Sequence, residues 1–391
     1  MKILWLTYDF PFPLNAGGKI RAYYLIKNLS RHHQITLFSY YRSEEQKRYL
    51  PEMAKYCRKI VLFKRRPAWS WQNIIRSLLT PLPFAAATYY SDALRAALQK
   101  ELLNNHHDLV HFESFYPALY LPLVKKLGAQ TLMGNENIES QFYERYVTSR
   151  SFFLRWPLKL EVWRMRLFEE HLWQQADINI AVSAHDAATI QKVTPKSCPV
   201  IPNGVDLAVY PQTVIRNDRQ NLIFIGSLIY QQNNDTVKYF LAEIYPLIKQ
   251  KYPAVKLTLV SGYQPAWLKN YLADASITFI QDRETPAVAF FKKAAVLVAP
   301  MRVAGGTNIK ILEAMASGLP VVTTTIGAEG LSVKHGREVM IADQPGEFAS
   351  AVVDLLKNPQ RRQEMGLAGQ VLVKKLYDWG KITDRLEEVL R

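Results

Sequence analysis

Residues 300–320 read PMRVAGGTNIKILEAMASGLP, and this stretch decides the fold. It follows an apolar run at 296–299 that has the composition of a buried strand. Two glycines then open a turn, and Thr307 is the predicted N-cap of a helix. The helix is predicted to end at Gly318, because a glycine at this position and Pro320 after it stop helices. A strand, a glycine turn and a helix in this order are typical of a doubly wound α/β domain.

The same turn has the chemistry of a phosphate-binding site. Gly305 and Gly306 allow the backbone to approach a ligand closely, and the amides after Thr307 lie at the positive end of the predicted helix dipole. Arg302 and Lys310 flank the turn, so that both could share the charge of a diphosphate. The sequence therefore predicts that these five residues hold the phosphates of a ligand.

Glu313 lies one turn into the predicted helix, where its carboxylate could accept hydrogen bonds from a ribose diol. The alternative is an ordinary capped core helix in which Glu313 pairs with Lys310, a contact worth only about 0.2–0.5 kcal/mol. Two glycines, a cap and two cations at one strand end exceed what capping requires, which favours the ligand site.

The alternation of strand and helix occurs twice along the chain. Strands are predicted at 2–7, 34–40, 60–63, 109–112, 131–133, 178–182 and 200–201, and again at 221–225, 256–260, 277–280, 296–299 and 321–324. We therefore expect an α/β protein with two Rossmann-like, doubly wound domains facing across a cleft. The N-terminal domain is predicted to cover 1–202 and the C-terminal domain 203–379. A last helix, about 380–391, is expected to pack back on the N-terminal domain.

Motifs across nearly the whole chain resemble the family 4 (group 1) glycosyltransferases of the GT-B fold. The matching segments are 223–227, 305–316 and 327–330 in the C-terminal half, 181–183 and 200–206 near the domain junction, and the weaker Gly17-Gly18 loop. The resemblance implies a retaining, metal-independent transfer of a sugar from a nucleotide-sugar, with no cofactor. It also implies that the C-terminal domain binds the donor and the N-terminal domain the acceptor.

The sequence departs from the family pattern in three places, one of which is Glu113, where relatives often carry a second histidine two residues after the first. The family commonly has two glutamates eight positions apart, but the first of these positions holds Gly305. Ser227 follows Gly226 where an arginine is common, and residues 231–234 read QQNN, without a cation. A branch of the family shares these replacements, which indicates a subgroup rather than an inactive protein. Gly226 is then expected at the donor, with Arg302, Lys310 and Arg283 carrying the phosphate charge.

Two candidate catalytic residues, His111 and Glu113, stand at the end of the strand predicted over 109–112. A carboxylate there could orient an acceptor hydroxyl or stabilise positive charge that develops on the sugar. The alternative is that His111 is a satisfied core histidine.

Further candidates follow two other strands of the N-terminal domain. Asn135 and Glu136 are predicted to line the acceptor side, although such polar clusters also occur as plain turns. Gly17 and Gly18 are predicted to let a loop approach the substrates, Gly17 at the acceptor and Gly18 at the donor diphosphate.

Charge is unevenly distributed along the chain. The protein has 49 Lys and Arg against 34 Asp and Glu, and residues 1–199 hold 27 of the former and 16 of the latter. Basic residues stand beside tryptophan at 64–71 and 152–156, a composition typical of surfaces that rest on lipid headgroups. The alternative is an ordinary solvated face. No nucleic-acid-binding motif appears, so we expect an anionic membrane surface as a partner and no nucleic acid.

The expected location is the cytoplasm, with peripheral attachment to the inner face of the membrane. Two cysteines, Cys57 and Cys198, favour a reducing compartment. The most apolar stretch, 74–90, is interrupted by Arg76, Pro81 and Pro83 and is not expected to span a bilayer. The N-terminal segment is too short in apolar residues to predict a signal peptide.

The expected function is transfer of a sugar to an acceptor hydroxyl, on a sugar or a lipid-linked acceptor, in envelope polysaccharide or glycolipid assembly. Two alternatives stay open at this point. One is a nucleotide-sugar 2-epimerase on the same fold, and the other is a GT-B module that binds nucleotide-sugars without catalysis.

Overall fold

A computed structural model describes residues 1–148, 152–210, 220–282, 285–303 and 307–391. The chain divides into two compact units, the first formed by Met1–Pro202 with Thr383–Arg391 and the second by Asn203–Ile382. Each unit contains a six-stranded sheet in which all strand pairs are parallel. The prediction of two Rossmann-like α/β domains is confirmed.

The sheet of the first unit has the order β3-β2-β1-β4-β5-β6. Its strands are β1 (Lys2–Thr7), β2 (Gln34–Tyr41), β3 (Lys59–Lys64), β4 (Leu109–Glu113), β5 (Thr131–Asn135) and β6 (Ile178–Ala181). The helices are α1 (Gly17–Leu29), α2 (Leu50–Ala54), α3 (Trp71–Leu79), α4 (Phe84–Ala87), α5 (Asp92–Asn104), α6 (Leu121–Lys126), α7 (Glu139–Thr148), α8 (Phe152–Gln175) and α9 (Ala184–Gln191), with 3-10 turns at Glu44–Tyr49 and Pro117–Tyr120.

The sheet of the second unit has the order β12-β11-β10-β7-β8-β9. Its strands are β7 (Asn221–Ile225), β8 (Lys256–Ser261), β9 (Ile277–Gln281), β10 (Val296–Ala299), β11 (Val321–Thr323) and β12 (Met340–Ile341). The helices are α10 (Gln231–Tyr239), α11 (Tyr245–Lys251), α12 (Ala287–Phe291), α13 (Ile309–Ala316), α14 (Pro345–Lys357) and α15 (Pro359–Leu376), with a π turn at Phe240–Ile244 and a 3-10 turn at Ala266–Asn270.

The last helix, α16 (Trp379–Leu390), starts in the second unit and ends in the first. Within the first unit, the Asn28 amide donates to the Thr383 hydroxyl at 3.2 Å, and Glu387 lies 3.7 Å from the His33 ring. The C-terminal turns of α16 are therefore held by side chains at the end of α1 and just beyond it.

The strand order places one topological switch point in each sheet, between β1 and β4 and between β7 and β10. Central strands are apolar because helices cover both faces of a parallel sheet, and β4, β5 and β10 are buried along their whole length. In such folds ligands bind at the carboxyl ends of the strands beside the switch point. The predicted site residues that the structure describes lie in or follow β1, β4, β5, β7 or β10 in the chain.

Several local predictions need correction. Helix α13 begins at Ile309 with Asn308 as its N-cap, so the prediction of Thr307 as the cap is wrong. Gly17 and Gly18 are the first two residues of α1 rather than part of the loop before it. Val200 makes a single bridge to Ala181 and no strand. Gly318, with φ of +71°, ends α13 as predicted.

Candidate functional site

Gly226 and Lys310, which were both predicted at the donor, lie together with Asn233 at the carboxyl end of β7. The Lys310 ammonium donates to the Asn233 side-chain oxygen at 2.5 Å, and the Asn233 amide donates to the Ser227 carbonyl at 3.0 Å. A Cβ on Gly226 would lie 3.0 Å from Asn233 Nδ2 and 3.1 Å from Lys310 Nζ. With its φ of +154°, Gly226 is suited to this position because it has no side chain. The structure thus places Gly226 and Lys310 side by side.

Lys310 is a cation held in an apolar setting. Its ammonium lies 4.7 Å from the centroid of the Phe224 ring, and burial lowers its pKa to about 8. An ammonium in this environment has lost part of its hydration, and an anionic ligand would restore the lost stabilisation. The site is electrostatically prepared for a negative group.

Glu313 projects from the next turn of α13 and has a partner that the sequence analysis missed. The Tyr210 hydroxyl donates to Glu313 Oε1 at 2.8 Å, and burial raises the pKa of Glu313 to about 7. The alternative pairing with Lys310 is not formed, since Lys310 donates to Asn233 instead. Glu313 keeps a second carboxylate oxygen that could accept from a ligand hydroxyl.

The N-terminus of α13 is held in place without a capping side chain from the described residues. The Thr307 hydroxyl accepts from the Asn203 amide at 2.7 Å, and the Asn308 amide donates to the Gly327 carbonyl at 2.8 Å. Both polar side chains are therefore used to anchor the turn rather than to bond the first amides of the helix. The prediction that these amides serve a ligand remains a prediction.

Of the other residues predicted to bind phosphate, Arg302 is paired with a carboxylate and three lie outside the described part of the chain. Arg302 donates to both carboxylate oxygens of Asp235, at 3.1 and 2.5 Å, and lies 4.4 Å above the Tyr239 ring. A phosphate would have to compete with Asp235 for this guanidinium. Gly305, Gly306 and Arg283, which were predicted at the donor, lie outside the described residues.

In the first unit, the end of β4 carries a buried charged group of three side chains. The Arg21 Nε donates to Glu113 Oε1 at 2.9 Å, and the His111 ring lies 2.9 Å from Glu113 Oε2. Arg21 also donates to the carbonyls of Ile201 and Pro202. Burial opposes the ionisation of Glu113, but the electrostatic and hydrogen-bond interactions with His111 and Arg21 outweigh burial and lower the pKa of Glu113. Glu113 is therefore an ionised carboxylate whose two oxygens are both engaged.

The surroundings of this group restrict its role. His111 stacks on Trp5 at 3.7 Å between ring centroids, and it is buried together with Glu113 and Arg21. The placement agrees with the alternative of a satisfied core histidine, and the catalytic roles of His111 and Glu113 stay predictions. Ser114, the next residue along the chain, has a φ of +88°, which is strained for a residue with a side chain.

Glu136 follows β5 and lies against the start of α1. Its Oε2 accepts from the Tyr8 hydroxyl at 3.3 Å, while Oε1 is buried with no hydrogen-bond partner among the described residues. A Cβ on Gly18 would overlap the Tyr8 hydroxyl and come within 2.6 Å of Glu136 Oε2. Burial, reinforced by the charge of Glu113, raises the pKa of Glu136 to about 8. The structure thus brings Gly18 and Glu136 together just after the end of β5.

Asn135 has a structural role in this fold. Its amide donates to the carbonyls of Met133 and Ile180, and its oxygen accepts from Trp173 Nε1 at 2.7 Å. These bonds join β5, β6 and α8. They use both N–H groups of the Asn135 side chain, so neither is left to donate to a ligand. The role of Asn135 on the acceptor side stays a prediction, which can only use the second lone pair of the side-chain oxygen.

Sequence reasoning missed four residues of these sites: Arg21, Tyr210, Asn233 and Tyr8. Asn233 could have been found, because the loop after β7 has amides where the family has a cation. The oxygen of such an amide can hold the ammonium of another residue in place, as Asn233 holds Lys310. Arg21 had a weak signal, as the second of two cations, after Lys19, that follow the Gly17-Gly18 pair. Tyr210 and Tyr8 had none, since a tyrosine outside a motif predicts no partner.

Comparison with known proteins follows the same division of the chain. Residues 219–358 match the family model described as glycosyl transferases group 1, and residues 16–209 match the model described as Glycosyltransferase Family 4. The chain belongs to this glycosyltransferase family. This confirms the resemblance and makes the protein an enzyme of the group 1 type.

Two relatives of this group 1 glycosyltransferase match it over nearly its whole length. A Klebsiella pneumoniae protein described as an uncharacterized 44.6 kDa protein in the cps region is 23% identical over 97% of both chains. A GDP-mannose-dependent alpha-(1-6)-phosphatidylinositol monomannoside mannosyltransferase of Mycolicibacterium smegmatis is 24% identical over 99% of this chain and 98% of its own. The glycosyltransferase thus has homologues in polysaccharide and glycolipid biosynthesis.

Solved structures show the GT-B fold of the glycosyltransferase. Sucrose-phosphate synthase from Thermosynechococcus elongatus matches with a TM-score of 0.78 at 16% identity, over 100% of this chain and 98% of that one. HepE from Anabaena in complex with UDP-glucose matches with a TM-score of 0.68 at 13% identity, over 100% and 99% of the two chains. In the described part of the enzyme, no helix combines the length and the apolar character that crossing a bilayer requires.

Proposed function

We propose that the enzyme transfers a sugar, with retention of configuration and without a metal, from a nucleoside-diphosphate sugar to a hydroxyl of a saccharide or lipid-linked acceptor. The observation that carries this proposal is the group formed by Gly226, Asn233 and Lys310 at the switch point of the second unit. A partly desolvated ammonium beside a glycine that exposes backbone is suited to a diphosphate.

The donor is proposed to lie against α13 of the second unit. Lys310 would hold the diphosphate, and the free oxygen of Glu313 would accept from a ribose hydroxyl while Tyr210 fixes the carboxylate. The amides at the start of α13 would add their partial positive charge. Support comes from HepE, a protein of the same fold whose structure contains UDP-glucose.

Catalysis in this proposal consists of positioning and charge stabilisation. As the bond between the sugar and the diphosphate breaks, negative charge grows on the leaving phosphate, and the Lys310 ammonium is placed to stabilise it. The acceptor hydroxyl attacks on the face that the nucleotide leaves, and its proton passes to the departing phosphate. This route needs neither a protein nucleophile nor a metal, because the charge is met by Lys310 and by backbone amides.

The acceptor is proposed to bind in the first unit, at the ends of β4 and β5. Glu136 Oε1 and the Ser114 hydroxyl are both buried, and neither has a hydrogen-bond partner among the described residues. Such groups are costly unless a ligand satisfies them, and both are suited to sugar hydroxyls. His111, Glu113 and Arg21 would then act as positioning residues that fix the strained backbone at Ser114.

The cellular role is proposed to be envelope polysaccharide or glycolipid assembly at the cytoplasmic face of a membrane. The support comes from two full-length relatives, one described as a protein in a cps region and one as a phosphatidylinositol monomannoside mannosyltransferase. The acceptor would be a sugar or a lipid-linked sugar.

The test starts with a panel of UDP- and GDP-sugars in a thermal-shift screen, followed by donor hydrolysis and transfer with the best ligand. Lys310→Ala and Glu313→Ala are expected to lower kcat/KM by roughly 10²–10³-fold, as for other lost transition-state contacts. The matched control is Lys256→Ala, an exposed lysine of the same unit. Wild-type turnover in both site variants would refute the proposed donor site.

A further inference from the structure

Helix α3 is amphipathic with its apolar face turned outward. Its buried side chains are the polar Asn73 and Ser77, whereas the large apolar residues of the helix are exposed: Trp71, Ile74, Ile75, Leu78 and Leu79, the last by 80%. A helix that packs on a domain normally buries its apolar face. This reversal leaves a continuous apolar surface with no cover in the described part of the chain.

The polar face of α3 is fixed to the domain by specific hydrogen bonds. The Asn73 amide donates to the carbonyls of Pro67 and Ala68, both at 3.1 Å. Arg164 of α8 donates to the carbonyls of Ser77 and Leu82, each at 2.7 Å. The outward position of the apolar face is therefore built into the fold and does not come from a loose helix.

Helix α8, which Arg164 joins to the C-terminal end of α3, carries a second exposed apolar stripe. Residues next to Arg164 on the exposed side of α8 are large and apolar at spacings of three and four: Trp156, Leu160, Trp163 and Leu167, with Trp156 exposed by 72%. Glu161 accepts from the backbone amide of Phe84, whose ring lies 4.9 Å from that of the exposed Trp69. We call the exposed residues of α3 and α8, with Trp69, the apolar platform. The side chains of 152–155 lie outside the described part.

The charges around the platform select among possible occupants. Segment 64–79 contains four Lys or Arg and no acidic residue, and segment 152–167 contains four and one. Three of these cations pair with acidic side chains of other segments, Lys64 with Glu44, Arg76 with Asp92 and Arg166 with Glu144, which still leaves a surplus of positive charge. A second copy of the chain would bring these cations against the same cations across a two-fold axis, which is unfavourable. An anionic lipid surface provides both the negative charge and the apolar layer, and tryptophan prefers that interface.

We propose that the apolar platform is a docking surface for an anionic lipid bilayer, with α3 lying in the interface and its apolar face towards the acyl chains. The adjoining cations, among them Arg66 and Lys159, contact the headgroups. The proposal does not depend on the proposed reaction, because vesicle binding is measured without any substrate.

The experiment is flotation of the full chain with vesicles of phosphatidylcholine and phosphatidylglycerol, compared with vesicles of phosphatidylcholine alone. Binding is expected to the anionic vesicles and to weaken as salt is raised. The double variant Ile75→Glu/Leu78→Glu is expected to bind at least about tenfold more weakly, because it places carboxylates in the apolar layer.

The matched control is Leu367→Glu/Val371→Glu on α15, since those residues are exposed by 43% and 66% against 44% and 76% for Ile75 and Leu78. The control is expected to bind as the wild type does. Both variants should melt within a few degrees of the wild type, because all four side chains point outward.

Three results would overturn the proposal. The first is absence of wild-type binding to the anionic vesicles at low salt, and the second is equal binding by the wild type and Ile75→Glu/Leu78→Glu. The third is a wild-type dimer in sedimentation that this variant dissolves while vesicle binding persists, which would assign the platform to self-association.

Discussion

At the scale of single residues, the donor site depends on a cation that is not paired with a carboxylate. Lys310 donates to an amide oxygen and lies over an aromatic ring, so its net charge is not cancelled by these partners. Arg302, by contrast, is bonded to Asp235 and carries less unbalanced charge. This difference makes Lys310 the stronger candidate for a diphosphate, although both were predicted from the same motif.

The pKa values of this site predict how nucleotide affinity depends on pH. Lys310, with a pKa of about 8, loses its charge above that pH, so the association constant for UDP should fall by up to tenfold per pH unit there. Glu313, with a pKa of about 7, is protonated below that pH and becomes a weaker acceptor for a ribose hydroxyl. Calorimetry across this range should therefore give a maximum of affinity between about pH 7 and 8.

Two variants separate the contributions of Lys310 and Glu313 to the pH dependence of UDP affinity. Lys310→Ala should bind UDP weakly and lose the fall at high pH, and Glu313→Gln should lose the fall at low pH while the other limb persists. A wild-type affinity that stays constant across the range would contradict the assigned roles.

Glu136 predicts a pH dependence of stability. Its pKa is about 8 in the folded protein and about 4.3 in an unfolded chain, so between these values the folded state holds a proton that the unfolded state has released. The stabilising contribution is fully present below about pH 4.3 and is lost as the pH rises to 8, by up to about 1.4 kcal/mol per pH unit. Glu136→Gln should remove the contribution of this group to the change of the free energy of unfolding with pH.

The measurement is the free energy of unfolding from urea titrations at pH values between 5 and 8. The variant should gain stability relative to the wild type as the pH rises, whereas Glu45→Gln, a change at an exposed site, should follow the wild type. Parallel curves for Glu136→Gln and the wild type would show that Glu136 is ionised throughout.

At the scale of elements, strands were more predictable than helix ends. Strands β1, β7 and β10 have the predicted bounds, because buried parallel strands are short apolar runs between turns. Helix α10, by contrast, begins at Gln231 within the polar QQNN stretch, where Asn233 and Asn234 donate to the carbonyls of Ser227 and Leu228 from within the helix. Contacts with a preceding loop have no signature in the sequence.

Helix α3 shows a second limit of prediction from sequence. Its period of apolar residues indicates a helix, but the pattern does not say which face the domain covers. The structure decides this through Asn73 and Ser77, whose partners are carbonyls of the loop before the helix and Arg164 of a helix far along the chain. The tryptophan and arginine residues at 64–71 did indicate that this region has an exposed apolar surface.

At the scale of the whole molecule, the two units repeat one topology with different chemistry. The second unit places a partly desolvated lysine at its switch point, whereas the first buries four glutamates at or near the carboxyl end of its sheet: Glu113, Glu136, Glu139 and Glu169. An anionic diphosphate is suited to the former, and the hydroxyls of a sugar to the latter. The buried ammonium of the second unit and the hydrogen-bonding carboxyl groups of the first therefore support the proposed assignment of donor and acceptor.

This division predicts where a nucleotide alone acts on the molecule. UDP at a hundredfold excess over its dissociation constant should stabilise the unit that binds it by about 2.7 kcal/mol, which slows exchange through opening of that unit about a hundredfold. We expect hydrogen–deuterium exchange with UDP to show protection in Asn203–Ile382, strongest at 226–239 and 307–316, and none of that size in β4 or β5. Lys310→Ala with the same UDP concentration should show little protection. Protection that appears first at the ends of β4 and β5 would place the donor in the first unit, because a ligand stabilises the unit that it binds before any other.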